Sequence, residues 1–492
     1  MKRRLHFATA ILVIPILLLL VILLAYPKPE YTQQKLSLEQ YMEDIAYLEV
    51  ILTTDFALSS VAYWARGANI GEAIQHLRAN ISANTSLESF YGELKYALHP
   101  LWTIGHFRIL TPSDHQSLLD TPHRHTAWGI KIHERLQQHN ALAFYEPRYL
   151  RDMGVLEEIV SNIRRDIAIY SGQHRAYWAS VFAGNRVYME PFIGRERVDD
   201  IRYQYDARNF RQASRLAVQA WSERRNTSMG TGLTIIEEGR IALIAAPRKM
   251  LYPIPLQEQV QLLNFLESIQ GYEHLIIDFR KCLGGAINWF TRLIMGPILE
   301  DNITLYGFAF GRYGRYSNET LESINVQLVN ANLSKAGELL SAEEVLNTHH
   351  LPQINTVDIL DMDFAFMFET SITARHLPRF NSNPISIGNV WLLIGPGSTS
   401  AATLSAWIAR ESGFATLVGE HSGGSCGGPR TIAILPNSGI AIEFDTLYMT
   451  DAHGRPFEAG VIPHYFNMVG KDALATALAL IGQVSETSEV VR

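Results

Sequence analysis

Ser400 is the residue of this sequence whose surroundings best fit nucleophilic chemistry. It follows the apolar run VWLLIG (390–395) and a Gly-Pro-Gly-Ser-Thr turn, and it begins the helix-like segment SAATLSAWIAR. At a helix N-terminus, a serine hydroxyl lies beside free backbone N–H groups and the positive end of the helix dipole, which stabilise a developing oxyanion. Most serines at this position only cap the helix, so this pattern alone leaves both interpretations open.

Two glycine-rich turns follow other predicted strands. Gly284 and Gly285 end the segment LIIDFRKCLGG, and GEHSGGSCGG (419–428) follows the apolar run FATLV. Glycine has no Cβ, so the backbone at such a turn can closely approach a substrate carbonyl. The alternative is that both segments are ordinary loops.

Together these motifs resemble the tail-specific, or carboxyl-terminal processing, serine peptidases and their tricorn-like relatives. LIIDFRKCLGG is similar to the family's L-I-L-D-L-R-x-N-x-G-G, and GPGSTSAATLSAWI is similar to its strand–S-A-S-E–helix segment, which places the nucleophile at Ser400. LVGEHSGG resembles V-G-E-x-T-x-G. FEAGVIP (457–463) resembles E-x-x-G-I-x-P-D, one residue shorter and with His464 in place of Asp. IGHFRIL (104–110) is a weaker match to D-G-H-T.

The resemblance extends over roughly 36–110 and 235–470, and it implies which residues act with the serine. The lysine-using branch has its general base at the position of Ser425, so the Ser–Lys pair is missing here. The tricorn-like branch uses a histidine and a glutamate, whose counterparts are His106 and Glu458. A neutral imidazole is a suitable base for a serine hydroxyl at neutral pH, and Glu458 is expected to orient or polarise the site. A structural histidine and a solvated carboxylate are the alternatives.

The resemblance also implies the groups that surround the reacting carbonyl. The expected oxyanion donors are the N–H of Ala401 and that of Gly284 or Gly285. Cys282 and Cys426 lie in the two loops that the resemblance places beside the nucleophile. An exported protein is oxidised, so we predict a disulfide between them, with two buried thiols as the alternative.

The elements that must position these residues form an alternating pattern. Strand-like and helix-like runs alternate from Gly232 onward, which predicts an α/β core over 235–470. TIAILP, NSG and IAIEFDTLYM are typical of a β-hairpin. By resemblance, the core is a crotonase- or Clp-protease-like ββα superhelix.

The remaining segments flank this core. Apolar residues at helical spacing predict an N-terminal helical region over 36–110, and Ser37 marks a helix start. The segment 111–232 is a middle domain of unknown type, and 471–492 is a C-terminal helix with a polar tail.

The N-terminal segment predicts a membrane anchor. A basic cytoplasmic stretch, residues 1–6, precedes the apolar run FATAILVIPILLLLVILLAY at 7–26, which at about 1.5 Å per residue spans the roughly 30 Å of a bilayer core. The positive residues lie on the N-terminal side, so the N-terminus is expected in the cytoplasm and the body outside it. A cleaved signal peptide is the alternative, although the exit Leu-Ala-Tyr-Pro lacks a small-x-small site.

Composition excludes several other classes of protein. The 42 Lys and Arg residues against 49 Asp and Glu give a net charge of −7, so no basic excess exists for nucleic acid. Two cysteines are too few for a four-cysteine zinc site. The histidine-rich stretch at 115–139 lacks carboxylates at ligand spacing, so no metal is expected. Serine acyl chemistry needs no cofactor.

The sequence therefore predicts a membrane-anchored, extracytoplasmic serine endopeptidase that cleaves proteins or peptides through an acyl-enzyme on Ser400. The alternative is a catalytically inactive relative that binds peptides or envelope partners. That alternative is favoured by the missing lysine, by Thr403 in place of the usual glutamate, and by the altered C-terminal motif. A third hypothesis is an esterase, but the G-x-S-x-G motif that carries the nucleophile in α/β-hydrolases is absent at Ser400.

Overall fold

The structure is a computed structural model. It describes residues 36–110 except 103, then 114–115, 135, the backbone of strands between 170 and 206, 231–330 except 252–253, 337–375, and 383–489 except 427 and 429. The predicted anchor at 7–26 and most of the predicted middle domain lie outside these residues. Within them, no single helix is long and apolar enough to cross a bilayer, while one pair bent by 93°, Leu38–Asp55 with Ser59–Arg66, meets the length and composition criteria together.

Helices and strands alternate along the chain. The helices are α1 Leu38–Val50, α2 Ser59–Arg66, α3 Ile70–Asn80, α4 Leu87–Ala97, α5 Leu256–Ser268, α6 Asn288–Phe290, α7 Gly296–Ile298, α8 Arg315–Asn330, α9 Ala342–Thr348, α10 Ala401–Glu411 and α11 Ala473–Glu489. The strands are β1 Arg108–Ile109, β2 Tyr170–Ser171, β3 His174–Ala183, β4 Arg186–Ile193, β5 Glu196–Arg197, β6 Tyr203–Asp206, β7 Gly232–Glu237, β8 Ile241–Ala245, β9 His274–Asp278, β10 Ile303–Gly311, β11 Leu340–Ser341, β12 Phe364–Ile372, β13 Asn389–Ile394, β14 Thr416–Gly419, β15 Arg430–Ile434, β16 Ala441–Asp445, β17 Leu447–Asp451 and β18 Tyr465–Phe466. This is a mixed α/β fold.

The central sheet has six strands in the order β18-β14-β13-β9-β8-β7. All of its neighbouring strands are parallel except β7, which is antiparallel to β8. Both faces are covered, as expected of a largely parallel sheet. Along β9, Leu275 and Ile277 face the largest core cluster, and Ile276 faces a smaller cluster with Ala473 and Ala477 of α11. The C-terminal helix thus closes one face of the sheet, and it extends to Glu489, beyond the start of the predicted polar tail.

The N-terminal helices share a core with the strands that follow much later in the chain. Ser37 begins α1 with a capping box, as predicted: its hydroxyl accepts from the Gln40 N–H at 3.2 Å, and the Gln40 side chain accepts from the Ser37 N–H at 2.9 Å. The buried Asp44 carboxylate accepts the N–H groups of Asn437 and Ser438, both at 2.8 Å. These two residues lie at the tip of the β15–β16 hairpin, so α1 holds that hairpin in place.

One predicted strand is divided between two sheets. The segment IAIEFDTLYM forms β16, which lies between β1 and β15, and then β17, which pairs with β10 in a four-stranded sheet, β11-β12-β10-β17. The β15–β16 hairpin is confirmed, but its second strand ends at Asp445 rather than continuing. The buried Thr446 lies between the strands, and its hydroxyl donates to Thr320 Oγ1 of α8 at 3.0 Å, which fixes the change of sheet. The chain therefore turns at Asp445.

The middle segment contributes a separate antiparallel sheet. Its described strands pair in the order β2-β3-β4-β5, and β6 also pairs with β4.

A buried carboxylate joins the three strands β1, β16 and β15. Glu443 is 1% exposed, lies opposite Arg108 in the β1–β16 register, and pairs with Arg108 and with Arg430 Nη1, the latter at 3.0 Å. Burial raises the pKa of Glu443, but the charges of the two arginines outweigh it and lower this pKa to about 2. Because the folded-state pKa lies below its ordinary value of 4.5, the ion pairs stabilise the fold above that pH and lose their effect as the pH falls toward 2.

We expect Glu443→Gln to lower the free energy of unfolding by about 2 kcal/mol at pH 7, because two arginines lose a buried partner while keeping some contact with water. Urea unfolding at pH 7 and pH 3 measures this, with Glu300→Gln, a change at an exposed glutamate, as the control. The difference between wild type and Glu443→Gln should narrow at the lower pH. An equal difference at both pH values would show that the glutamate stabilises by packing and not by charge.

Candidate active site

Ser400 and His106 meet, and a third side chain completes the group. The Ser400 Oγ lies 3.0 Å from His106 Nε2, and His106 Nδ1 lies 2.8 and 2.9 Å from the two carboxylate oxygens of Asp445. Asp445 is fully buried, and 17% of the His106 side chain is exposed. With Nδ1 donating to the carboxylate, Nε2 is left as the acceptor for the serine hydroxyl. Ser400, His106 and Asp445 therefore form a hydrogen-bonded hydroxyl, base and carboxylate, which we call the triad.

The segment before α10 fixes Ser400 at the end of β13. The Ser398 hydroxyl donates to the Phe279 carbonyl at 2.8 Å, which holds the turn against the end of β9. The Ser400 N–H donates to the Gly424 carbonyl at 2.8 Å, so the second glycine-rich turn predicted from the sequence lies directly beside this serine.

His106 is placed by the register of β1. Arg108 lies opposite Glu443, so continuing the antiparallel pairing by two residues brings position 106 opposite position 445. Along β16, Glu443 and Asp445 point to the same face, and Ile442 and Phe444 point into the N-terminal core. The pleat of one strand therefore separates the site from the core.

The site stores backbone strain. In the described part of the chain, the non-glycine residues with a positive φ are His106 at 55°, Ser400 at 56° and Ser425 at 52°. His106 and Ser400 are hydrogen-bonded to each other, and Ser425 follows the glycine whose carbonyl binds the Ser400 N–H. Such conformations persist only where the surroundings hold them, and they concentrate at functional sites.

The turn at Gly284 and Gly285 packs directly on the Ser400 segment. Gly284 has a φ of +88°, and a Cβ there would lie 2.6 Å from the Thr399 carbonyl oxygen and 2.7 Å from the Ala401 nitrogen. A glycine is therefore required by both backbone conformation and space. On its other side, the turn is held by Met250, whose N–H donates to the Gly284 carbonyl at 2.8 Å.

The histidine is tuned toward its protonated form. Burial lowers the pKa of His106, but the charge of Asp445 and the hydrogen bond to it outweigh this effect, so the pKa lies above its ordinary value of 6.5. Arg430, the cross-strand neighbour of Asp445, opposes that rise. A base of raised pKa holds a proton more firmly once it has taken it from the serine.

Comparison with known proteins finds a family that part of the chain matches. The profile of peptidase family S41 matches residues 255–466, a span that includes Ser400, Asp445 and Glu458. This part of the chain is similar to peptidase family S41. The protein is a serine-type peptidase, as the sequence predicted, and the substrates of that family are proteins or peptides.

Solved structures and curated sequences were also compared with this protein. It is similar to mature CPAF in complex with lactacystin, with 13% identity over 92% of this chain and 98% of that one and a TM-score of 0.47. The photosystem II D1 C-terminal processing protease matches with 10% identity over 87% and 92% of the two chains and a TM-score of 0.37. The tricorn protease matches with 14% identity over 62% of this chain and 22% of that one, with a TM-score of 0.26. Among curated protein sequences there is no significant match.

Sequence reasoning missed Asp445 and expected Glu458 in its place. Both ring nitrogens of His106 are engaged, by Ser400 and by Asp445, so Glu458 does not hold the imidazole. Glu458 is buried in a short 3₁₀ turn, where its charge acts on Cys426 and Tyr448. A signal for Asp445 was present: two carboxylates, at 443 and 445, alternate with apolar residues in one predicted strand, and buried carboxylates need partners.

The predicted disulfide between Cys282 and Cys426 is absent, and both cysteines are free and buried. The Cys282 sulfur interacts with the Gly284 N–H, and burial raises the pKa of this thiol to about 11. Burial, together with the charges of Asp445 and Glu458, also raises the pKa of Cys426. Thiols with raised pKa values stay protonated at neutral pH, which disfavours their oxidation. The alternative of two buried thiols is the correct one.

Thr403 supports the turn before α10 through hydrogen bonds. Its hydroxyl donates to the Ser398 carbonyl at 2.9 Å, and it accepts from the Ser422 hydroxyl at 3.2 Å. The Ser422 hydroxyl in turn accepts the Val461 N–H at 2.8 Å. This chain of hydrogen bonds ties the terminal FEAGVIP motif to the turn that carries Ser400.

Within the described residues, no group of three or more His, Cys, Asp or Glu side chains is placed to hold a metal.

We expect Gly284→Ala to slow the reaction of Ser400 with a fluorophosphonate by roughly 100-fold or more, because the added methyl group must displace the Ser400 turn. Gly271→Ala is a matched control, since Gly271 has a φ of +86° but open space around its Cβ position. It carries a similar backbone strain and should label at the wild-type rate. Equal losses in the two variants would attribute the effect to strain alone.

Proposed function

We propose that this protein hydrolyses peptide bonds through an acyl-enzyme on Ser400, with His106 as general base and Asp445 as the residue that orients it. The observation that carries the proposal is the continuous hydrogen-bonded array from Ser400 through His106 to the buried Asp445. A histidine held by a carboxylate replaces the lysine that the sequence lacks at position 425.

In the first step, His106 Nε2 takes the Ser400 hydroxyl proton while Oγ attacks the substrate carbonyl carbon. The imidazolium that forms is stabilised by the Asp445 carboxylate, and it gives its proton to the leaving amine as the peptide C–N bond breaks. Water then attacks the acyl-enzyme and loses a proton to the same nitrogen. The ester bond breaks, and Ser400 regains its proton.

The negative charge on the carbonyl oxygen needs backbone donors. The Ala401 N–H is in the first turn of α10 and has no intrahelical acceptor. Of the two glycines, Gly284 has its N–H close enough to the Cys282 sulfur to affect the pKa of that thiol. The proposed oxyanion donors are therefore the N–H groups of Ala401 and Gly285.

The same geometry disfavours the inactive relative. An inactive protein has no need for three strained or buried catalytic groups in hydrogen-bond contact, since strain of this kind costs about 1–3 kcal/mol per residue. Two of the three departures that favoured inactivity also have counterparts in the site: His106 serves as the base in place of the lysine, and the Thr403 hydroxyl supports the turn in place of the glutamate.

The test is fluorophosphonate labelling of the full-length chain. We expect Ser400→Ala and His106→Ala to abolish labelling, and Asp445→Asn to slow it by roughly 10²–10⁴-fold, because the amide no longer stabilises the imidazolium. Glu458→Gln is the comparison for the carboxylate predicted from the sequence, and it should slow labelling far less. A larger effect at Glu458 than at Asp445 would reverse the two assignments.

The pH dependence of the labelling rate separates a catalytic defect from misfolding. Labelling requires neutral His106, so the wild-type rate should fall on the acid side with an apparent pKa above 6.5. Asp445→Asn removes the charge that raises this pKa, so its acid limb should shift to lower pH. A slower rate with an unshifted limb would argue that Asp445 only supports the fold.

We also propose that residues 7–26 anchor the protein in a membrane, with the N-terminus cytoplasmic and the peptidase body outside, and that the core is a ββα superhelix of the crotonase type. The length of the apolar run and its basic N-terminal flank support the anchor.

The anchor predicts that the full-length protein stays with membranes after alkaline carbonate washing, and that a variant lacking residues 1–26 is released. Protease added to intact cells, with the outer envelope opened where there is one, should digest the body. Recovery of the full-length chain in the carbonate supernatant would contradict the anchor. A shorter membrane-free chain beginning near residue 27 would favour the cleaved signal peptide.

A further inference from the structure

Basic side chains gather at one side of the triad. Arg108 and Arg430 flank it on β1 and β15, and Lys249 lies in the segment between β8 and α5. We refer to Lys249, Arg108 and Arg430 as the basic cluster. The charges of Arg108 and Arg430 lower the pKa of Lys249, and both arginines pair with the same carboxylate, Glu443.

Lys249 is tied to the turn that packs on Ser400. The carbonyl of the preceding residue, Arg248, accepts the Leu283 N–H at 2.7 Å. The following residue, Met250, donates its N–H to the Gly284 carbonyl and accepts the Ala286 N–H, both at 2.8 Å. The segment therefore runs alongside the Gly284–Gly285 turn as a parallel bridge. The backbone at Lys249 thus lies beside the proposed oxyanion turn, and its ammonium group is within electrostatic reach of Arg108 on β1 and Arg430 on β15.

The two arginines of the cluster have carboxylate partners, whereas among the described residues Lys249 has none. Glu443 is enclosed and pairs with both arginines, and Asp114 pairs with Arg108 at 3.3 Å. Lys249 is exposed, and within the described part of the chain it has neither an ion pair nor a hydrogen bond. Partial desolvation of its ammonium group lowers the pKa of Lys249, and the charges of Arg430 and Arg108 lower it further, against the opposing charges of Glu443 and Asp114. An added carboxylate would relieve this repulsion.

We propose that the basic cluster, through Lys249, is a specificity subsite that selects a substrate carrying a carboxylate close to the scissile bond. The inference rests on the proposed function of Ser400. The carboxylate can belong to an acidic side chain or to the substrate's C-terminus, because both present the same charge and the same acceptor oxygens to an ammonium group. The partly exposed arginines add to the attraction without pairing with the substrate themselves.

The first test maps cleavage of denatured β-casein by the full-length chain, using mass spectrometry. Wild type should cut preferentially where an Asp, Glu or free C-terminus lies within a few residues of the scissile bond. Peptides that copy one such site are then compared in matched forms, with Glu or Gln near the bond and with a free or amidated C-terminus. If the carboxylate belongs to the side chain, replacing Glu by Gln should lower kcat/KM by roughly three- to tenfold, and if it belongs to the C-terminus, amidation should do so.

The variants decide whether Lys249 is responsible. Lys249→Gln should abolish the preference, Lys249→Glu should invert it, and Lys249→Arg should keep it. Lys471→Glu, which changes an exposed lysine outside the cluster, is the charge-matched control and should behave as wild type. The preference should also weaken as salt is raised, because exposed charges are screened. An unchanged preference in Lys249→Glu would overturn the proposal.

Fluorophosphonate labelling separates this proposal from the one on which it rests. The probe has no carboxylate, so wild type should label whether or not the subsite exists, and the peptide preference of each Lys249 variant is compared as a ratio of its own kcat/KM values for the matched peptides. Normal labelling with no preference for either carboxylate in wild type would contradict the subsite and leave the nucleophile intact. A wild type that neither labels nor cleaves would overturn the proposed nucleophile, and the subsite with it.

Discussion

The hydrogen bond between His106 and Asp445 joins two residues that are 339 positions apart in sequence, and the rest of the site depends on it. It sets the tautomer of the imidazole, turns Nε2 toward Ser400, and raises the pKa of the ring. Without this hydrogen bond, His106 would have neither a fixed tautomer and orientation nor a raised pKa. The bond is possible because β1, only two residues long, adds to the edge of the β15–β16 hairpin in a single register. A shift by one residue would turn the histidine to the opposite face.

Several packing features serve to keep that register. The N-terminal helices share a core with Ile442 and Phe444 of β16, and the Asp44 carboxylate binds two N–H groups at the hairpin tip. The buried Glu443 pairs with an arginine from each neighbouring strand. These contacts explain how the Asp445 carboxylate is held in place at a strand end without a helix behind it. The stability of the hairpin and the geometry of the site come from the same residues.

The sequence predicted the elements of this fold better than the changes of direction between them. The parallel strands β9, β13 and β14 are apolar runs bounded by glycine turns, so local pattern was sufficient for them, and Ser37 and Ser400 were recognisable at helix starts. The division of IAIEFDTLYM into two strands was not recognisable, because the hydropathy pattern continues through Thr446. The break depends on a partner in α8, which is distant in sequence. Asp445 lies at that break. The sequence analysis instead assigned Glu458 to orient the site, because Glu458 lies in the terminal FEAGVIP motif. The cysteines show the same limit: their loops do lie close to the serine, but the direction of each side chain decides whether a bond forms.

The separation of His106, Ser400 and Asp445 along the chain has a consequence for the protein during its own synthesis. His106 leaves the ribosome hundreds of residues before Asp445, and Ser400 also precedes Asp445. A nascent chain that already contains Ser400 but stops short of Asp445 therefore has a serine without an oriented base. Under the proposed mechanism, such a chain reacts slowly until β16 has formed and paired with β1. Assembly of the site is thus coupled to the folding of the C-terminal part of the chain.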